Sequence, residues 1–239
     1  MPRLVYLILI RMPTNDDSIS KLRSTFAAAY NAAMESMNRR ERVDRFKQIA
    51  LGILNYESAK KLLPPAAICD REGRPLLSWR VAILPYLDQQ NLYKEFHLGE
   101  PWDSPHNRTL IEKMPGVYMD LGPKADQLNR EGKTTCQVPT GPKTVFYNKE
   151  GTKWREIADG TANTILLVEV EPRRAVEWTK PEDWEVDLQH PRHGVQRSDR
   201  DQFLAAWCDA SVQFVPTDID EAKLRAYLTR DGREVVDRP

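Results

Sequence analysis

Long apolar runs, paired cysteines and an excess of either charge are what this 239-residue sequence lacks. Its N-terminal apolar stretch, Leu4 to Ile10 in "MPRLVYLILIRMPTNDD", is much shorter than the roughly 20 residues of a helical membrane span. No small-residue cleavage site follows it, so it does not read as a signal peptide. A strand-like or disordered leader on a soluble chain is expected, cytoplasmic by default, with a truncated anchor and an envelope location as the alternative. Cys69, Cys136 and Cys208 are the three cysteines. They are too far apart for a C-x-x-C pair and odd in number, which argues against a zinc ribbon and a full disulfide framework and leaves buried free thiols. Lysine and arginine total 35 and so do aspartate and glutamate, so no net field draws the chain to nucleic acid or to an anionic membrane. Disorder of the whole is excluded by 41% hydrophobic and 29% charged residues, ordinary values for a globular chain.

What is present is pattern. From Thr14 to Leu63 apolar residues recur at spacings of three and four: Ile19, Leu22, Phe26, Ala29, Ala33 and Met37, then Val43, Phe46, Ile49, Ala50, Ile53 and Leu54. That is one stripe on a long helix. Thr14 with Asp17 resembles a capping box, and Pro64-Pro65 stops the helix. The polar stretch "MNRRERVDRF" predicts a break near Asn38. Beyond the prolines, Ser78 can cap a helix through "WRVAIL", Pro85 can open a further turn, and Ser104-Pro105 can start a short helix that ends before Met114-Pro115. Strands are expected in "GVYMDL", "TTCQV", "KTVFYN" and "NTILLVEV", the last apolar on both faces and therefore central. "FLAAWC" and "SVQFVP" form a hairpin around Asp209-Ala210. Asp218 with Glu221 begins a final helix, and Gly232 follows its end. The fold class is α+β: a long N-terminal helix packed on an antiparallel sheet, with short helices and a C-terminal helix.

Residues capable of chemistry are few and poorly spaced. Arg80 lies in an apolar run and needs an acceptor; either it pairs with Glu169 of "TILLVEV" or it is a solvated arginine at a helix edge. His190 and His193 in "HPRH", with Asp199, Asp201 and Asp209 nearby in sequence, are metal-ligand types. Pro191 argues against a helix that would align the two imidazoles, so the segment reads as a loop without a metal. "DGTANT", residues 159 to 164, reads as a turn entering a strand, and "GPKADQLNREGK" lacks the spacing of a phosphate loop. No residue is assigned a catalytic, cofactor-binding or metal-binding role, and no cofactor is expected.

Six segments in order, "FKQIALGILNYESAKKLLPPAAI", "LLSWRVAILPYLDQQNLY", "EPWDSPHNRTLIEKMPGVY", "IADGTANTILLVEV", "EWTKPEDW" and "DIDEAKLRAYLTRDGREVV", resemble blocks of a planctomycetal family of unknown function. Its members carry a prepilin-type N-terminal helix and a C-terminal His-x9-Asp-Gly signature. The resemblance implies a pilin- or pseudopilin-like layout, as in type IV pili and type II secretion. It divides the chain into a leader and helical extension, residues 1 to 38, and a family domain, residues 39 to 239. Two features depart from the family pattern. The prepilin motif is missing, and fifteen residues separate His193 from Asp209, which is followed by Ala210 instead of glycine. A non-enzymatic structural or interaction module is therefore expected, its partner a protein, self or other, bound through the long helix. The alternatives are a ligand- or metal-binding module with its site on the sheet loops, or a metal-assisted enzyme.

Overall fold

A computed structural model describes residues 17–122 and 124–234, apart from the side chains of residues 17–19 and 22. The apolar leader and Thr14 lie outside the described residues. The chain divides into two compact units, Met1–Arg42 and Val43–Pro239.

Helix α1, Asp17–Lys60, runs through both units. It is continuous at Asn38, where a break was expected: the polar residues there, arginine and glutamate among them, are themselves good helix formers, and polarity alone does not interrupt the backbone ladder. Lys61, with φ 63°, ends it; the Lys61 amide bonds back to the Glu57 carbonyl, and Pro64 and Pro65 preclude another turn.

Within Val43–Pro239 the centre is an antiparallel sheet of four strands in the order β10-β9-β6-β4, comprising Val212–Pro216, Gln202–Trp207, Ile165–Glu169 and Cys136–Gln137. Both faces of this sheet are covered, and the side chains sort accordingly. Leu204 and Ala206 of β9 join a core with Phe46, Ile49, Ala50 and Ile53 of α1. Phe203, Ala205 and Trp207 point the other way, into a second core with Leu224, Tyr227 and Leu228. Those three belong to α5, Glu221–Leu228. Strand β6 breaks the alternation, because Leu166 and Leu167 both face the α1 side while Ile165 and Val168 face α5. A register shift between Ile165 and Leu167 accounts for this, since one extra residue resets the two-residue period. Burial on both faces is why "ILLVE" is apolar throughout.

The short elements follow in chain order. A hairpin pairs β1, Ala67–Cys69, with β2, Pro75–Ser78. Ser78 then caps α2, Trp79–Ala82, its Oγ accepting from the Arg80 amide. A 3-10 turn at Leu84–Tyr86 starts around Pro85, and α3 is Gln90–Glu95. A 3-10 segment at Asn107–Lys113 has its first amide bound by Ser104 Oγ. Next come α4, Ala125–Arg130, β3, Lys133–Thr134, and β5, Pro139–Thr140. β7, Val176–Glu177, pairs with β3, and β8, Trp184–Glu185, with β5.

Three expectations need correction. "GVYMDL" is a 3-10 turn, not a strand, because the Tyr118 amide closes onto the Pro115 carbonyl and the tyrosine ring is drawn into the core. "KTVFYN" is irregular, with one bridge from Phe146 to Thr140; Val145 and Phe146 are buried as core plugs, so their apolar character signals burial and not pairing. The last helix is capped by Asp220, whose side chain accepts from the Lys223 amide, and not by Asp218.

Candidate functional site

Arg80 is wholly buried, and its partner is Asp183. Ser78 and the α2 turn place the guanidinium against β4 and the segment before β8. There its Nη2 donates to Asp183 Oδ1 at 2.7 Å and to the Cys136 carbonyl at 2.7 Å, Nε to the same carbonyl at 3.0 Å, and Nη1 to Ser78 Oγ at 2.7 Å. Asp183 also accepts from the Val138 amide and from the Trp79 indole. Burial pushes the Asp183 carboxyl up to about 6, with the Arg80 charge and the Val138 N–H pulling against it. The donors converging on it, the Arg80 guanidinium, the Val138 amide and the Trp79 indole, all favour the ionised form. Tyr118 closes the cluster, donating to the Arg80 carbonyl and stacking on Trp178. Every polar atom here is turned inward on another, so the arrangement ties α2, β4 and the β7–β8 segment together. It is a scaffold.

Arg80 thus forms a structural ion pair, but not with the partner expected, and the solvated alternative is overturned. It is neither solvated nor paired with Glu169. Glu169 instead holds Arg197 at 3.3 Å and Arg200 at 3.5 Å. Asp199 takes the fork of Arg197 through Nε and Nη2 at 2.9 and 3.0 Å. Burial opposes the Arg197 charge, yet the bonds it donates to Asp199 and the nearby Glu169 charge keep its pKa raised. Within the polar run "RSDRDQ", Arg197 is in this way buried and clamps the end of β6, while Ser198, Asp199 and Asp201 stay exposed. Asp183 escaped sequence reading because "KPEDW" looks like a solvated loop; only the fold makes it interior.

Asp209 and Ala210 form the β9–β10 turn as expected. Asp209 Oδ1 accepts from the Ser211 amide and hydroxyl, the work of a turn former. Ala210 has φ 62° and is buried. Two effects oppose each other in Ala210→Gly: relief of a left-handed alanine, about 1 kcal/mol, and loss of one buried methyl, about 0.8 kcal/mol. The expected outcome is a stability change within about 1 kcal/mol of zero by urea denaturation. "DGTANT" is likewise a turn entering β6, with Gly160 at φ 89°; the Asp159 carboxylate accepts from the Gly232 and Arg233 amides. Burial raises the thiols of Cys136, to about 12, and of Cys208, which makes both poor nucleophiles.

Two surface features remain. On α1, Phe26 and Met37 are 44% and 62% exposed, and Ala29 and Ala33 between them are exposed as well. On the other side of the sequence, His190 and His193 are brought together after all, joined by Asp187. Pro191 opens a 3-10 turn, Pro191–Gly194, instead of preventing one. Residues three apart nearly eclipse in that geometry, so the two rings stack, 5.1 Å between centroids and 9° from parallel. Asp187 was not visible as a member because it precedes the turn in the strand-like "EVDLQ". The cluster includes none of Asp199, Asp201 and Asp209.

The architecture defines an α+β protein with a sheet between two helical layers, and no described helix is long and apolar enough to cross a membrane. Residues 42–119 match the model of a family described as a protein of unknown function (DUF1559). That span holds α1 from Arg42 onward, the Arg80 segment and the turn at Tyr118, about a third of the chain. The first three of the six resembling segments fall inside it and the last three outside. No curated protein and no solved structure matches the chain.

Proposed function

We propose that this chain is a non-catalytic, pilin- or pseudopilin-like structural module that associates with a second copy of itself through the N-terminal half of α1. The observation that carries the reading is the exposed stripe Phe26, Ala29, Ala33 and Met37. Spacings of three and four keep these residues on one side of a helix, the pattern of a seam between helices. The stripe is also self-complementary. If two copies cross antiparallel about the point between Ala29 and Ala33, each alanine meets the other and Phe26 meets Met37, an aromatic-thioether contact. Small residues at the centre let the backbones approach. Catalytic work finds little support beside this, since the buried ion pairs are satisfied and the two buried thiols are held protonated.

A contact this short buries little area, so it should dissociate on dilution. Sedimentation velocity on the whole chain is expected to show reversible self-association that Ala33→Glu abolishes. Ala33 is exposed, so the variant should keep its fold, which circular dichroism checks. Association that Ala33→Glu leaves unchanged would place the contact elsewhere.

A further inference from the structure

We propose that Asp187, His190 and His193 form a surface site for one divalent transition-metal ion, with zinc the species their chemistry favours. The proposal is independent of self-association through α1. Two imidazoles and one carboxylate are the donor types of three-ligand zinc sites, which leave a fourth position for water. One ligand atom from each of the three residues lies within 4.8 Å of the others. His190 Nδ1 already sits 3.1 Å from Asp187 Oδ2, close to the about 3.3 Å between two ligands on a tetrahedral zinc with bonds of about 2.0 Å. Small side-chain rotations therefore suffice, with the His190 ring hydrogen moving to Nε2 when Nδ1 takes the ion.

The turn that carries the ligands is held firmly, so little ordering accompanies binding. Pro191, Gly194 and Val195 are buried beneath it. Gly194 lies flat on Trp184; a Cβ there would fall 1.9 Å from the indole Cε2. Arg192, the adjacent cation, is engaged by Glu221 at 3.0 Å, and Arg225 donates to the Leu188 carbonyl, so α5 braces the segment from its far side. The Gln189 amide donates to Asp187 Oδ1 at 2.8 Å, which fixes the carboxylate and leaves Oδ2 on the imidazole side. A hydrogen-bonded Asp-His pair can stand alone on a surface; the second imidazole aligned with it, His193, is exposed and fills no place in the core.

Isothermal titration of zinc chloride into the full chain tests this. One ion per chain is expected, with affinity falling about 10-fold or more in His193→Gln and in Asp187→Asn, at least the loss seen when even outer ligand partners are removed. The chain's other two histidines, His97 and His106, stack 3.6 Å apart, and the double variant His97→Gln, His106→Gln serves as the control. It should bind as the parent does. Absence of binding in the parent, equal affinity in His193→Gln, or loss of binding in the control would each overturn the assignment.

Discussion

Asp183→Ala is expected to lower the free energy of unfolding by about 3 to 5 kcal/mol, the loss typical of stranding a buried charge. The aspartate has 2% of its side chain exposed and Arg80 has none, so the guanidinium loses its counter-charge away from bulk solvent. The Val138 amide and the Trp79 indole lose their acceptor in the same step. The origin of the effect is separable. If the penalty comes from the stranded guanidinium, Arg80→Met combined with Asp183→Leu should recover much of the stability, because apolar groups of similar size can replace a buried pair at little net loss. Urea denaturation of the three proteins decides it. A loss below about 1 kcal/mol in Asp183→Ala would mean that Arg80 reaches solvent and that the interior network is not what joins α2 to β4.

Trp79→Ala should be as damaging, at about 3 to 5 kcal/mol, as for other large core aromatics. The indole is completely buried, meets Tyr118 edge-to-face with centroids 6.4 Å apart, and has the Arg80 guanidinium 4.9 Å from its ring centre. Truncation therefore opens a cavity beside a charge. Trp79→Phe keeps most of the volume and loses only the N–H donor, so it should fall well short of the alanine variant. Equal losses in the two would show that the hydrogen bond to Asp183, and not the packing, dominates.

Much of the fold is legible in the sequence, and the failures share a physical origin. The α1 stripe, the buried strand β6, the Ser78 cap and the Asp209-Ala210 hairpin are local signals, set by periodicity and by hydrogen bonds a few residues long. Asp183 is opposite in kind: its partner is 103 residues away, and nothing in "KPEDW" distinguishes an interior aspartate from a solvated one. Arg80 could be recognised as needing an acceptor, but any of 35 acidic residues could have supplied it. Val145 and Phe146 misled in another way, because a buried irregular segment and a strand present the same apolar residues. The histidine turn failed on proline, which forbids a helix interior yet favours a first turn. Its third member, Asp187, is a neighbour in space only because residues 187 to 193 fold back on themselves through the Asp187 carbonyl and the His190 amide.

The claim that most depends on experiment is that the exposed seam of α1 joins two copies of the chain. Light scattering across a dilution series measures this directly. The account predicts an average mass approaching twice that of the chain at the highest concentrations and falling to one chain on dilution, whereas a single-chain mass throughout would contradict it.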